Sequence, residues 1–357
     1  MSGDAFDFLD TPPTFAAGPH WPYTIRMKKI TVAINGLGRI GRAFLRVATK
    51  HPEIEIVAVN DLMPRENAEY LLSHDSVYGQ DTIRYTLNAI RYLSEKDPTK
   101  LPWKELGVDV VVESTGFFAT AEGAKLHLDA GAKRVIVSAP IKGESKDCKT
   151  VLMGVNEEAL SNCTITSNAS CTTNAASPII AILDEVIGIE KALLNTVHAY
   201  TATQALVDSP AGKRGLREGR AAAVNIVPSS TGAAIAVTKA YPSLEGKFDG
   251  ISLRVPVICG SIADITFIAK RDTTTNEVNE ILRKAAKEKR WQGIFSASDD
   301  ELVSSDIVGS TEGAIAELSM TRVVGGNLVK VLAWYDNESG YANTLVAHVL
   351  AVGKLIG

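Results

Sequence analysis

Residues 28–61 restrict the fold of this chain more than any other stretch. Ile30 to Ile34 is a short β-branched run that reads as a strand. Gly36-Leu37-Gly38-Arg39-Ile40-Gly41 follows, and Arg39 to Thr49 can continue as a helix. A second strand-like run, Ile54 to Val59, ends in Asn60-Asp61. In such a G-x-G-x-x-G turn the glycines permit a tight bend, close backbone approach to a pyrophosphate, and close helix–strand packing. The pyrophosphate would meet the helix N-terminus, where amides lack intrahelical partners. Asp61 lies about 20 residues past the last glycine, where an acidic side chain takes ribose hydroxyls. A carboxylate there also repels a 2′-phosphate, so NAD is expected over NADP. A glycine-rich turn alone is a weak signal; the strand before, the helix after and the acid beyond make a dinucleotide site the stronger reading.

The alternation continues. Val108 to Glu113 reads as a buried strand and Ser114-Thr115-Gly116 as a turn. Ala121 to Ala130 reads as a helix with Gly131 as its C-cap, and Val135 to Val137 as a strand ending at Ser138. Strand–helix–strand repetition implies a parallel, doubly wound sheet. Ligands bind at the carboxyl ends of such strands, which puts Ser138 near the cofactor.

A second stretch carries chemistry: Ser167-Asn168-Ala169-Ser170-Cys171-Thr172-Thr173-Asn174. It joins a strand-like run, Cys163 to Thr166, to a helical run reaching Ile187, in which Pro178 should produce a kink. Cys171 would then sit at a helix N-terminus, where unpaired N–H groups favour an anion and lower a thiol pKa. The same groups could hold an oxyanion. The competing reading is an inert buried Cys, and the hydroxyls of Ser170, Thr172 and Thr173 weigh against it. Leu193 to Val197 reads as a strand that delivers His198. Thr201 to Val227 is a long Gly-, Ala- and Ser-rich segment with Lys213, Arg214, Arg217 and Arg220. It is a solvated face or a functional or interfacial loop. Ser229-Ser230-Thr231-Gly232 before a helix, Ala233 to Ala240, is a second candidate anion site. Arg254 interrupts the apolar strand Gly250 to Val257, so it must be paired or face a ligand. The last third holds a helix from Thr275 to Lys289, strands around 314–320 and 328–334, and a final helix from Ala342 to Leu355.

The whole chain sets limits. A length of 357 residues suggests two domains. A net charge of −4 offers no basic footprint for nucleic acid. The four cysteines, Cys148, Cys163, Cys171 and Cys259, make neither a disulfide framework nor metal-ligand spacing, which fits a reducing cytoplasm and no metal. No apolar run approaches the roughly 18 residues of a membrane span. Residues 1–26 lack the features of a secretory signal and read as an extension, with Met27 as an alternative start.

Taken together, Ile-Asn-Gly-Leu-Gly-Arg-Ile-Gly-Arg (34–42), Ser-Asn-Ala-Ser-Cys-Thr-Thr-Asn (167–174), His-Ala-Tyr-Thr-Ala-Thr-Gln (198–204), Ser-Thr-Gly-Ala-Ala (230–234), Leu-Arg-Val-Pro (253–256) and Trp-Tyr-Asp-Asn-Glu (334–338) resemble phosphorylating glyceraldehyde-3-phosphate dehydrogenases from about Lys28 to the C-terminus. The resemblance implies an α/β Rossmann domain over 28–169, rejoined by a helix over 338–357. It implies an α+β catalytic domain with a mixed or antiparallel sheet over 170–337, and an extension over 1–27. It implies Cys171 as nucleophile and His198 as base and oxyanion donor. The substrate phosphate would be held by Thr201, Arg217 and Arg254. Inorganic phosphate would be held by Ser170, Thr172, Thr231 and Gly232, with Arg217 near both. For NAD it implies Gly36, Gly38 and Gly41 at the turn, Arg39 and Ile40 at the pyrophosphate, and Asp61 at the ribose. Lys96 and Ser138 would lie nearby, and Asn337 would orient the nicotinamide amide. Pro210 stands where NAD-preferring members tend to carry Pro. A homotetramer is also implied, with the 201–227 segment between subunits. An erythrose-4-phosphate dehydrogenase is the enzyme alternative. Four departures stand out: a short 81–93 region, Ala175 in place of a frequent second Cys, Ser339 in place of a usual Trp, and one extra residue near Arg214.

Overall fold

Strands and helices that alternate along the first half of the chain build one parallel sheet, and the second half builds a mixed one. The computed structural model describes residues 29–80, 87–210 and 215–356. The extension at 1–27, the cations Lys213 and Arg214, and residues 81–86 of the short 81–93 region lie outside them. The first sheet comprises β1 (Ile30–Asn35), β2 (Ile54–Asn60), β3 (Arg91–Leu93), β4 (Val110–Glu113), β5 (Arg134–Val137), β6 (Cys148–Thr150) and β7 (Ile165–Ser167). Their spatial order is β3-β2-β1-β4-β5-β7-β6, with every pairing parallel. Val110–Glu113 is buried along its whole length, as expected of a strand covered on both faces. Helices α1 (Arg39–Ala48), α2 (Arg65–Ser73) and α3 (Ala121–Asp129) connect these strands. Thr120 caps α3 by accepting from the Gly123 N–H at 3.0 Å. Ala130 ends the helix, and Gly131 follows at φ +103°. Described residues of the short region supply β3, which pairs with β2 as the sheet edge.

The second sheet comprises β8 (Ile189–Ala199), β9 (Val227–Ser230), β10 (Phe248–Val255), β11 (Ser261–Ala269), β12 (Phe295–Ser298), β13 (Ala314–Val324) and β14 (Leu328–Tyr335). Their order is β9-β10-β8-β11-β14-β13-β12. The β8–β10 and β12–β13 pairs are parallel and the rest antiparallel. Helices α4 (Cys171–Val186), α5 (Ala233–Ala240) and α6 (Thr275–Ala285) cover one face of this sheet. On strands such as β11, buried residues alternate with partly exposed ones, the two-residue period of a half-covered sheet. The predicted kink at Pro178 does not interrupt α4, which runs as one helix from Cys171 to Val186.

The last helix, α7 (Ser339–Gly353), returns to the first sheet and packs on α1. A single apolar core joins residues of both sheets through α4 and α7. The carboxyl ends of β1, β4, β5 and β7 lie on one edge of the parallel sheet. Cys171 comes four residues after β7, so the fold carries it to that edge.

Candidate active site

The turn between β7 and α4 places a sulfur at a helix N-terminus. Ala169 lies within it at φ +53°, a left-handed conformation disfavoured for a residue with a Cβ. Strain of this kind persists only where the surroundings over-determine it. Here Ser167 Oγ accepts from the Ala169 N–H at 2.9 Å, and Tyr341 donates to the Ala169 carbonyl at 3.0 Å. Asn174 braces the turn by donating to the carbonyls of Asn168 and Ser170 at 2.8 and 2.9 Å. Ser170 is the cap and accepts from the Thr173 N–H at 3.1 Å. Cys171 opens the helix as a half-buried residue.

Cys171 Sγ lies 3.4 Å from His198 Nε2, although 27 residues separate them. His198 is the penultimate residue of β8, beside Arg254 of β10, and the two are partners in the parallel ladder. Arg254 Nη1 lies 2.5 Å from His198 Nδ1, and the Ala199 carbonyl lies 2.7 Å from the same nitrogen. These contacts require opposite tautomers. A guanidinium only donates, so the first leaves the ring proton on Nε2, toward the sulfur. The second keeps the proton on Nδ1 and frees the Nε2 lone pair. Beneath the pair, Tyr335 OH bridges the hydroxyls of Thr172 and Thr196 at 2.8 and 2.7 Å. Its ring meets the imidazole edge-on.

The expected lowering of the thiol pKa is not found. Burial pushes Cys171 up to about 11. Arg254 and the Thr172 amide and hydroxyl pull it the other way without offsetting that burial. Burial, with the Arg254 charge second, presses His198 down to about 3. Desolvation disfavours both charged forms. Burial thus works against an ion pair here, while the Arg254 charge favours the thiolate and opposes the imidazolium.

Beside the parallel sheet lies a cavity of about 600 Å³ lined by Gly36, Gly38, Asp61, Lys96, Thr115 and Phe117 among others. A Cβ added to Gly38 would meet nothing within 4 Å, and α1 has no side-chain cap. Its first amides thus open onto the cavity, as a pyrophosphate requires. Asp61 accepts from the Leu37 and Met63 N–H groups at 2.5 and 2.8 Å, which fixes the carboxylate beside the glycine turn. The cavity floor is a buried chain of hydrogen bonds. Trp103 donates to His127 Nδ1 at 3.0 Å, so the ring proton sits on Nε2 and faces Glu113 at 3.1 Å. Asn35 and the Thr115 N–H also donate to Glu113, at 2.6 and 2.8 Å. The groove fits a dinucleotide. A larger recess of about 950 Å³, between α5 and the outer side of β8 and β11, holds none of the sequence-predicted residues.

The other sequence-predicted residues have these surroundings. The Arg39 guanidinium is paired with Glu338 and, at 2.7 Å, with Asp75, so a cofactor would meet the main-chain N–H groups of Arg39 and Ile40 rather than that side chain. Ser138 follows β5 and Asn337 follows β14, with the Asn337 side-chain oxygen accepting from Ser261 at 3.0 Å. Thr201 is half-buried and its hydroxyl meets that of Thr203 at 2.9 Å. Thr231 accepts from the Ala233 N–H at 3.2 Å at the start of α5, next to exposed Gly232. Arg217 is exposed in the short turn Leu216–Gly219, and its guanidinium makes no hydrogen bond or ion pair among the described residues; its neighbour Glu218 is the buried one.

Sequence reasoning missed Tyr335 and Asp336. Asp336 is fully buried. It accepts from Tyr78 OH and the Glu338, Ser339 and Gly309 N–H groups, each at 2.8 Å. It thereby ties the turn carrying Asn337 to Tyr78, at the turn of a small hairpin in which His74–Asp75 pairs antiparallel with Gly79–Gln80. A polar Asp-Asn-Glu run directly after an apolar strand was the available signal.

Comparison with known proteins agrees with this architecture. A family model described as glyceraldehyde 3-phosphate dehydrogenase, NAD binding domain, matches residues 30–121, and one described as the C-terminal domain of the same enzyme matches 170–337. Curated relatives named glyceraldehyde-3-phosphate dehydrogenase include one from Thermotoga maritima, 48 % identical over 327 residues, covering 88 % of this chain and 96 % of the relative. One from Streptomyces coelicolor is 45 % identical over 337 residues, covering 91 % and 99 %. One from Clostridium pasteurianum is 42 % identical over 328 residues, covering 88 % and 96 %.

Proposed function

We propose that this chain, which belongs to the glyceraldehyde-3-phosphate dehydrogenase family, oxidises D-glyceraldehyde 3-phosphate reversibly to 1,3-bisphosphoglycerate through a thioester on Cys171. It is an NAD-dependent oxidoreductase of that family. The observation that carries the finer reading is the 3.4 Å contact between Cys171 Sγ and His198 Nε2, at a helix N-terminus, with Arg254 on the far side of the ring.

The chain supports each step with its own groups. Arg254 and Thr201 hold the substrate phosphate. The guanidinium is then drawn from His198 Nδ1, which is left to donate to the Ala199 carbonyl, and Nε2 becomes free to accept the thiol proton. The sulfur attacks the aldehyde carbon, and the first amides of α4 and the imidazolium stabilise the oxyanion. Bound NAD supplies the hydride acceptor. The residues that would hold it are Gly36, Gly38, Gly41 and the Arg39 and Ile40 amides for the pyrophosphate, Asp61 for the ribose, Lys96 and Ser138 beside the groove, and Asn337 for the nicotinamide amide. Phosphate held near Ser170, Thr172, Thr231 and Gly232 then opens the thioester. A sulfur is suited to this because a thioester keeps the oxidation energy that an ester would lose.

The domain division follows the same reading: cofactor domain 28–169 rejoined by 338–357, catalytic domain 170–337. A homotetramer in the cytoplasm is part of it. Exposed Leu206, Val207, Leu216, Val224 and Ile226 in the 201–227 segment, each more than two-thirds exposed, support burial against another subunit. No helix of the described residues is long and apolar enough to cross a membrane.

The test is NADH formation from glyceraldehyde 3-phosphate with NAD or NADP, with and without phosphate. Cys171→Ser should abolish it while leaving NAD affinity within about twofold. Turnover retained by that variant would refute the assignment.

A further inference from the structure

β11 begins at Ser261, between two strands whose ends carry residues of the candidate site. On one side Ser261 pairs with Tyr335, the last residue of β14 and two residues before Asn337. On the other side β8 runs antiparallel, with Val197 opposite Ile262. Ser261 is buried, 1 % exposed, and its hydroxyl is used twice. It accepts from the Ala199 N–H at 3.1 Å and donates to Asn337 Oδ1 at 3.0 Å. Ala199 is also the residue whose carbonyl meets His198 Nδ1.

A serine hydroxyl carries one proton and two lone pairs. The Ala199 N–H can only donate, so it occupies a lone pair and leaves the single proton for Asn337. That proton settles a choice an asparagine side chain does not make alone. Its two ends are nearly equal in size, and turning the amide over exchanges an acceptor for two donors. With the amide turned over, its NH₂ would face the hydroxyl oxygen and the Ser261 proton would lose its partner in a buried place, which is costly. Held through Oδ1, the side chain keeps Nδ2 as its free end. Nδ2 has no hydrogen-bond partner among the described residues, and Asn337 retains 6 % of its surface exposed.

We propose that Ser261 is a positioning residue for the cofactor: it holds Asn337 with its NH₂ outward, so that the protein offers a donor and reads the carbonyl oxygen of the nicotinamide amide. The inference rests on the reading that Asn337 meets that amide. A ring gripped by its carboxamide cannot turn over about its bond to ribose, so the same hydroxyl fixes which ring face meets the substrate. Because Ala199 holds the hydroxyl in turn, the anchor of the nicotinamide and the anchor of the imidazole share one residue.

The experiment uses the full-length enzyme and needs no turnover. NAD affinity is measured by isothermal titration. Transferred nuclear Overhauser effects from the nicotinamide ribose H1′ to ring protons H2 and H6 report whether the bound ring takes one orientation or both. The wild type should show a strong effect to only one of the two protons. Ser261→Ala should show both and bind NAD about fivefold more weakly, the worth of one hydrogen bond. A folded Ser261→Ala protein that keeps the single effect overturns the inference, even if its affinity falls. Asn337→Ala should likewise show both effects; if it binds and orients NAD as the wild type does, the reading of Asn337 fails and this inference with it. The wild type alone gives a second test. The 3-acetylpyridine analogue of NAD keeps the carbonyl oxygen and carries CH₃ in place of NH₂. It should bind within about fivefold of NAD, and a larger loss would mean that Asn337 accepts rather than donates, overturning the inference.

Discussion

Gly41 offers the sharpest test of how the glycine turn is built. It lies inside α1 and is buried. A Cβ placed on it would stand 2.0 Å from the Gly36 carbonyl oxygen and 3.0 Å from the Gly36 carbonyl carbon. That is about 1.4 Å short of the 3.4 Å of ordinary contact, and the obstacle is backbone. Gly36 cannot retreat, because it sits at φ +98° with its own Cβ position only 2.6 Å from the Thr115 nitrogen. Gly41→Ala gains about 1 kcal/mol of helix propensity. Overpacking costs about 1–3 kcal/mol in ordinary cores, and an overlap this large against main chain belongs at or above the top of that range. The net loss is about 2 kcal/mol, which lowers Tm by about 4–8 °C for a domain of this size. NAD affinity, by isothermal titration, should fall at least tenfold as the turn opens. Gly38→Ala is the control: with nothing within 4 Å of the added Cβ, Tm should move by less than about 2 °C. NAD should still bind more weakly, because the methyl group enters the pyrophosphate path. A Gly41→Ala protein whose Tm stays within 1 °C or so of wild type would refute the packing argument.

Three further outcomes are expected. Arg254→Leu should cut kcat/KM for glyceraldehyde 3-phosphate by about 10–150-fold, the worth of a charged hydrogen bond of about 1.5–3 kcal/mol, while unphosphorylated glyceraldehyde loses only a few-fold; equal losses for both aldehydes would remove Arg254 from phosphate recognition. His348 is buried between Asn168 Oδ1 at 3.1 Å and Thr166 Oγ1 at 2.9 Å, and burial holds it down to about 3. Its folded pKa lies below the unfolded value of about 6.5, so the unfolded chain takes the proton first. Stability is intact above about pH 6.5 and falls by about 1.4 kcal/mol per pH unit for each such histidine as pH drops toward 3. In urea unfolding across that window, His348→Gln should reduce the slope by about one proton. Asp336→Asn sets an NH₂ group against donors that now meet a carboxylate, and should cost about 1–3 kcal/mol. It should also raise KM for NAD several-fold, because the same turn holds Asn337; an unchanged KM would separate Asp336 from the cofactor site.

Much of the molecule was legible along the chain because its signals are local. The β1–glycine–α1–β2 unit, the parallel alternation and the placement of Cys171 at a helix N-terminus depend on residues within a few turns of one another. Backbone amides at a helix start are oriented by that helix alone. Other properties depend on groups distant in sequence. His198 and Arg254 are 56 residues apart and meet only because β8 and β10 pair in parallel. The guanidinium of Arg39 is paired with Glu338, just before α7, a contact between residues 299 apart in sequence. In the Leu216–Gly219 turn no helix or strand period states which way a side chain points, so Arg217 and Glu218 could not be assigned inward or outward from spacing. The thiol shows the division most plainly. Its helix terminus is written in eight consecutive residues and argues for a lower pKa. Desolvation sums over everything packed around the sulfur, from α4, β8, β10 and β14, and only the assembled fold determines that this larger effect acts in the opposite direction.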